Sequence, residues 1–483
     1  MPDSPSPRSD PAADRARLVA RLGELLGPRG LLTEPADTAP YGEDWRRLYC
    51  GRPLAVARPA DTAQVAAVVR ACMAAGAGVV PQGGNTSMVG GAVPAADGSE
   101  VVLSLARLNR VRAVDAIDMT LTVEAGVTLK AAQQAAAEAD CLLPLSVASE
   151  GTAQIGGILA TNAGGNNTVR YGNARDLVLG LEVVLPDGAV WNGLRRLHKD
   201  NTGYCLRQLF VGAEGTLGVI TAAVLKLAPR PRAVELAFCA LPSCAAALAL
   251  FRRLQARDPA ALQAFEYMSG AGVELVLRHI PGAALPLAVP SGHYALVELA
   301  TPRPGAALRA ALENVLEGAL ADGLVTDAVI AGSVAQHAAL WRLREAQAEA
   351  QKRAGANVKN DVSVPVSKVP ELIARASAAC AALLPGIRIV PFGHLGDGNI
   401  HFNLVQPEAM DPADFLARGD AIMDTVGAVV RALDGSFSAE HGVGRLKPHL
   451  MPAWRGGAEL ATMRRIKAAL DPLGLMNPGK VLP

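Results

Sequence analysis

The sequence predicts an α+β protein of two domains with a helical C-terminal segment. Three observations lead there. The chain has 483 residues, more than one core ordinarily serves, so two or three domains are expected. Short strand-like runs and longer helix-like runs alternate along it, with no internal repeat. Pro229-Arg230-Pro231-Arg232 divides two such stretches, because closely spaced prolines end regular structure.

Residues 1–13 are rich in Pro, Ser and Asp and read as a disordered lead. They lack the apolar centre of a signal peptide and carry too much acid for a transit peptide. From Ala13 to Leu26 the spacing is helical. A glycine-rich α/β region follows, from about residue 50 to 228. Its strands are expected at Gly78–Val80, Val101–Leu103, Met119–Val123 and Leu181–Leu185, and its helices at Thr62–Ala75 and Leu129–Ala139. Beyond the prolines, strands are expected at Val234–Phe238, Tyr294–Leu299 and Val358–Pro365. Helices are expected at Cys244–Ala256, Ala306–Ala321 and Val334–Ala354. That order suits a sheet with helices on one face. Pro412–Leu433 and Ala458–Leu470 read as helical. The domain bounds are therefore 14–230, 231–420 and 421–483.

Charge is nearly balanced, at +1 with histidines neutral, and aromatics are 4% of residues. This excludes a nucleic-acid surface, which needs clustered Lys and Arg with interleaved aromatics. Seven scattered cysteines form no Cys-x-x-Cys pair, so neither a disulfide framework nor an iron–sulfur cluster is expected. Reduced thiols point to the cytoplasm. No apolar run reaches the roughly 18 residues of a transmembrane helix.

Pro81-Gln82-Gly83-Gly84-Asn85-Thr86-Ser87-Met88-Val89-Gly90-Gly91 follows a short strand. Its glycines permit turns that aim several N–H donors at one anion, and its hydroxyls add donors. The endings of a Walker loop and the spacing of a Rossmann loop are both absent. Alone, the loop is as good a structural turn as a pyrophosphate cradle. Two further loops, Ile155 to Asn167 and Gly212 to Thr221, favour the cradle. Three in one domain fit a large dinucleotide laid along backbone amides.

Gly393 to Asn403 reads as a β-hairpin, because Asp397-Gly398 is a signal for a two-residue type I′ turn. That turn would set His394 directly opposite His401. Opposed residues share a face, with Cβ atoms roughly 5 Å apart, a separation that suits two imidazoles on one metal ion. Asn403, two residues beyond His401, points the same way. Glu440-His441 follows in a glycine-rich loop. A lone strand histidine is ordinarily structural. Two opposed histidines with a carboxylate–imidazole pair nearby read as a metal-assisted catalytic site, in which His394, His401 and Glu440 bind the metal and His441 is the general base. Zinc suits this set, as do iron, manganese and cobalt. His198, His279, His293, His337 and His449 belong to no constellation.

Together these segments resemble the FAD-binding vanillyl-alcohol oxidase / p-cresol methylhydroxylase superfamily. Within it they are most similar to the D-2-hydroxyacid dehydrogenase branch, especially the D-2-hydroxyglutarate dehydrogenases. The resemblance rests on Pro81–Pro94, Gln154–Gly165, Leu179–Asp187, Lys199–Tyr204, Gly215–Thr221, the hairpin, Glu440–Gly444 and Asn477–Lys480, in that order. It implies a two-subdomain PCMH-type FAD-binding domain at 14–230 and a ferredoxin-like α+β substrate or cap domain at 231–420. The helical segment 421–483 would complete the flavin site. Implied FAD contacts are Pro81, Gly83, Gly84, Asn85, Thr86, Ser87 and Gly90 in the first loop; Ile155, Gly156, Gly157, Thr161, Asn162 and Ala163 in the second; Gly218, Val219 and Ile220 in the third; and Asn477. Many members attach FAD through a histidine in or near the first loop. No histidine occurs between Met1 and Trp191, so noncovalent FAD is expected.

The resemblance also implies the reaction: oxidation of a D-2-hydroxyacid to the 2-oxoacid, with hydride passing from C2 to flavin N5. It gives the metal to His394, His401 and Glu440, the base to His441, and substrate contacts to Asn403, Arg344, Lys359 and His441. Arg344 lies in the helix-like Trp341-Arg342-Leu343-Arg344-Glu345 and Lys359 at the head of a strand. D-2-hydroxyglutarate is the favoured substrate, with D-lactate and D-malate as competitors. Where that branch has a Thr one turn after the arginine, this chain has Ala348, with Gln347 beside it. An electron-transfer flavoprotein, a quinone or a cytochrome would take the electrons, and a homodimer is expected. The rivals are a D-lactate dehydrogenase, the flavin subunit of a glycolate oxidase, and a flavoprotein subunit of an electron-transfer complex.

Overall fold

The computed structural model describes residues 11–304 and 307–483. Of the expected disordered lead, residues 1–10 lie outside the described residues, and the first helix, Pro11–Leu26, takes in the rest. Its apolar residues Leu18, Leu22 and Leu26 are buried.

The first sheet has the spatial order Leu31–Leu32, Ala55–Ala57, Glu100–Ser104, Gly78–Gln82. The last three strands are parallel and wholly apolar in their middle. The crossover helix Thr62–Ala74 starts where the Asp61 side chain accepts the Gln64 N–H, and it buries Val65, Val68, Val69 and Cys72 on the sheet. The second sheet is antiparallel, ordered Val111–Asp115, Thr120–Glu124, Val219–Lys226, Val178–Val184, Val190–Gly193. Val184 and Val219 reach from it into the core of the first sheet, so the two sheets pack as one unit.

The cap sheet has eight strands. Asp327–Ile330, Ala233–Leu241, His293–Thr301, Leu262–Ser269, Arg388–His394, Asn399–Val405 and Asn357–Val358 lie side by side, and Asp361–Ser363 also pairs with Asn399–Val405. Helices cover both faces, not one. Ala237, Cys239 and Leu241 pack with helices Cys244–Arg257, Leu308–Ala321 and Val369–Leu383. Leu236, Phe238 and Ala240 pack with helices Gly270–His279 and Val334–Glu345. The physical reason is legible in Ala233–Leu241, which is apolar at alternate positions on both sides and so demands two covers.

The run 334–354 is two helices, Val334–Glu345 and Gln347–Ala354, meeting at Ala346. Helix Gly419–Ala432 straddles the expected boundary at 420 and buries Ile422, Val426 and Val430 in the cap core. After it the chain turns back: Ser436 bridges Ser363, and Met476 bridges Val79 at the edge of the first sheet.

Candidate active site

The three glycine loops meet at one junction. A Cβ on Gly84 would lie 2.0 Å from the Thr152 oxygen, and one on Gly83 3.5 Å from the Gly157 nitrogen, so the first two loops pack backbone to backbone. The Glu214 N–H donates to the Ala160 oxygen at 2.8 Å, joining the third loop to the second, and Gly215 packs on Pro81. Asn477 donates to the oxygens of Gly91 and Glu214, at 2.9 and 2.7 Å. The side chains of Asn85 and Asn162 are already engaged, on Glu43 O and the Arg175 N–H. The Thr161 hydroxyl bonds back to Gly157 O, and the Ser87 hydroxyl accepts the Val89 N–H. Val219 and Ile220 are buried core residues. These positions therefore offer backbone more than side chain. Ile155 and Gly156 open a short helix and bond to Val127 O and Ala125 O, and the Ala163 N–H donates to Ile158 O. Gly90 and Gly218 hold φ of 66° and 159°. Space beside Gly157 is open, and the buried oxygens Gln154 Oε1 and Asn477 Oδ1 have no hydrogen-bond partner among the described residues. The open space beside Gly157 and the two spare acceptors fit the hydroxyl donors of a dinucleotide.

The hairpin differs from expectation. The turn is a 3₁₀ segment, Leu395–Asp397, closed by Gly398 at φ 86°. The register pairs His394 with Asn399 and Phe392 with His401. A four-residue loop replaces the two-residue turn because the Asp397 side chain accepts the Asn399 N–H, while the Gly398 N–H bonds to His394 O and Leu395 O. His394 and His401 are therefore diagonal neighbours. They still share a face, since the shift is by two residues.

On that face a row of side chains crosses four strands. The pairing of Tyr267 with Gly393 sets Glu266 beside His394, and Asp361 pairs directly with His401. The row reads Glu266, His394, His401, Asp361. Glu440 lies across the two imidazoles: His394 Nε2 is 3.3 Å from Oε1 and His401 Nε2 is 4.0 Å from Oε2. Ligand atoms of His394, His401 and Glu440 all fall within 4.8 Å of one another. Each ring's other nitrogen has a carboxylate behind it. His394 Nδ1 is 2.7 Å from Glu266 Oε1, and His401 Nδ1 is 3.8 Å from Asp361 Oδ1. Two Nε2 atoms and a carboxylate facing one point, with carboxylates behind the rings, fit a divalent metal.

Burial lowers the pKa of both imidazoles, but their neighbours differ. Glu266 and Glu440 raise His394 to about 10. His401, also close to Arg344 and His394, falls to about 4. Burial pushes Glu266 up, yet His394 and Arg344 bring it down to about 2. Glu440 is likewise raised by burial and pulled lower by His394, ending below its ordinary value. The pocket thus stabilises positive charge between its carboxylates.

His441 Nδ1 lies 3.3 Å from Asp361 Oδ2, which also accepts the Glu440 and His441 N–H groups at 3.0 and 3.1 Å. Asp361 is 4% exposed. Its carboxyl is raised by burial and lowered further by His441 and His401. Its oxygens are taken up by these donors and by Asn399, at 3.0 Å.

Arg344 is buried. Its Nε is 2.6 Å from Glu266 Oε2, its guanidinium lies 4.9 Å over the Phe392 ring, and its Nη2 is 3.4 Å from His394 Nε2. Asn403 donates to Gln351 Oε1 at 2.9 Å. Lys359 is half-buried, and burial, then Arg46 and Lys352, lower its pKa. Ala348 is exposed. Gln347 Nε2 donates back to Leu343 O at 3.1 Å, and its buried Oε1 has no hydrogen-bond partner among the described residues.

The structure thus gathers His394, His401, Glu440, His441, Arg344 and Asn403 on or beside one sheet face. Sequence reasoning missed Glu266, Asp361, Gln351 and Arg46. Two of these carried a signal: Glu266 is the only acid in the apolar strand Leu262–Ser269, and Asp361 follows Lys359 by two residues.

Residues 53–193 match the FAD binding domain family, and residues 230–481 match FAD linked oxidases, C-terminal domain. A D-2-hydroxyglutarate dehydrogenase of Xanthomonas citri pv. viticola is 43% identical over 465 residues, covering 96% of each chain. The mitochondrial D-2-hydroxyglutarate dehydrogenase of Bos taurus is 40% identical over 95% of this chain and 82% of its own. Among solved structures, p-cresol methylhydroxylase superposes with a TM-score of 0.75 at 17% identity over 97% of both chains. Alkyldihydroxyacetonephosphate synthase gives 0.72 at 17% identity over 99% of this chain and 86% of its own. These last two likenesses are of fold.

Proposed function

This chain belongs to the FAD-linked oxidases and, within them, to the D-2-hydroxyglutarate dehydrogenase family, and on that premise we propose that it oxidises D-2-hydroxyglutarate to the 2-oxoacid. The observation that carries the reading is the convergence of His394, His401 and Glu440 on one point, with Arg344 and His441 beside them. The glycine loops and Asn477 would hold FAD noncovalently, and the substrate would lie between residues 14–230 and the cap, 231–420. The turned-back tail within 421–483 brings Glu440, His441 and Asn477 to that junction.

FAD, when bound, supplies the hydride acceptor for C2. A divalent metal on His394, His401 and Glu440, with zinc the favoured ion, would supply Lewis acidity that makes the C2 hydroxyl easier to deprotonate. His441 takes the hydroxyl proton at Nε2, because its Nδ1 is turned to Asp361. Arg344 presents its remaining guanidinium edge to a substrate carboxylate, and Lys359 adds a point charge. Asn403, anchored by Gln351, fixes a polar substrate group. Arg46 lies near enough to depress the ammonium groups of both Lys359 and Lys447, after burial. Such a surplus of cations favours a dianion over the monoanion lactate. Without a hydroxyl at Ala348, the grip on the distal carboxylate is looser than a Thr there would give. Among the described residues no helix is long and apolar enough to cross a membrane. We place the protein in the cytoplasm, as a homodimer, passing electrons to an electron-transfer flavoprotein, a quinone or a cytochrome.

The test is anaerobic bleaching of flavin absorbance with D- and L-2-hydroxyglutarate, D-malate, D-lactate and glycolate, before and after chelation. Rapid bleaching by D-2-hydroxyglutarate, lost with chelator and restored by zinc, is the expected result. Equal bleaching by D-lactate would move the assignment to a lactate dehydrogenase, and no bleaching by any acid would sink the hydroxyacid reading.

A further inference from the structure

We propose that Glu266 is a positioning residue shared by the metal centre and the substrate clamp, so that a single buried carboxylate sets both His394 and Arg344. The inference rests on the hydroxyacid reading for the role of Arg344, and on geometry for the rest. Glu266 is 1% exposed. It stands on a central strand of the cap sheet, which fixes its backbone, and its two oxygens are divided between two partners. Oε1 is 2.7 Å from His394 Nδ1 and Oε2 is 2.6 Å from Arg344 Nε.

Each bond removes one freedom. Accepting from Nδ1 fixes the His394 tautomer, leaving Nε2 as the lone pair that faces Glu440 and His401. Accepting from Nε turns the guanidinium so that its Nη edge faces the same space, with the Phe392 ring beneath it. The 3.4 Å separation of Arg344 Nη2 from His394 Nε2 shows how close the two working groups then lie. No other acceptor is bonded to Arg344 Nε or His394 Nδ1 among the described residues. A glutamine at this position has one acceptor oxygen, so it can satisfy His394 or Arg344 but turns an NH₂ group against the other.

The experiment uses the full-length FAD-loaded protein and Glu266→Gln. Zinc affinity is read by chelator competition with no substrate present. KM and kcat for D-2-hydroxyglutarate are read at saturating zinc. The expected result is a ten- to hundredfold loss of zinc affinity together with about a tenfold or greater rise in KM that saturating zinc does not repair. A folded, flavin-loaded E266Q with both quantities within twofold of wild type would overturn the inference. A change in only one quantity would also overturn it, because the shared role requires both. If E266Q loses its flavin, Glu266→Asp supplies the same two readouts: it keeps the charge but its shorter side chain does not span both partners, so zinc affinity still falls and KM still rises. The zinc titration uses no substrate. Wild-type protein that binds zinc but oxidises no hydroxyacid would sink the functional reading and leave the His394 half of this one standing.

Discussion

Asp361 illustrates what one side chain decides at this site. Its carboxylate holds His441 by Nδ1 and two backbone N–H groups of the same loop. Asp361→Asn keeps the shape but presents an amide to the imidazole, and the tautomer with Nε2 free is lost. We expect kcat to fall by about 10² to 10⁴ with KM little changed, measured as the rate of anaerobic flavin reduction. A second prediction concerns protons. His394 holds its proton up to about pH 10 in the metal-free protein, so a metal must expel it. Apparent zinc affinity should therefore rise about tenfold per pH unit from 7 towards 10, with one proton released per ion bound; a flat profile in chelator competition would contradict this. His394, His401, Glu440 and His441 were legible in the sequence because imidazoles and a carboxylate stand in recognisable local patterns. Glu266 and Asp361 were marked only as acids within short strands, which does not say what such a carboxylate serves. Its meaning comes from a neighbour 128 or 80 residues away.

At the scale of elements, the hairpin shows how far turn chemistry carries. Asp397-Gly398 correctly marked a reversal, and the face shared by His394, His401 and Asn403 survived because the true register differs by an even number. The loop type depended on a side-chain bond that pattern does not reveal. Asp397 is itself raised to about 7 by burial. The folded state holds that proton more tightly than the unfolded chain, so the group's contribution is full below about pH 4 and is lost as pH rises through about 7. Asp397→Asn removes this dependence: relative to wild type, its Tm should improve from pH 5 to pH 8. The glycine loops make a firmer demand. Gly84→Ala places a methyl 2.0 Å from the Thr152 oxygen, forcing the first two loops apart. The purified variant should carry much less flavin, read as the ratio of 450 to 280 nm absorbance. The second helical cover of the cap sheet was written in the two-sided apolar pattern of Ala233–Leu241, whereas nothing in the run 334–354 marks the helix break at Ala346.

Across the whole molecule, the chain closes on itself. Residues 475–477 rejoin the first sheet, and Asn477 ties Gly91 to Glu214 while Glu214 accepts the Val443 and Gly444 N–H groups. Asn477→Ala deletes one buried and one part-buried hydrogen bond and should cost about 1–3 kcal/mol, seen as a lower Tm and weaker flavin retention. The groups that would grip flavin come from the glycine loops and the returning tail, whereas those that would choose the acid (Arg344, Lys359, Asn403) come from residues 344–403 of the cap. Substitution at those three positions can retune which acid is accepted while the groups around the flavin stay as they are. Ala348 lies four residues beyond Arg344 and away from the glycine loops, so a change there would bear on the choice of acid and leave the flavin cradle whole.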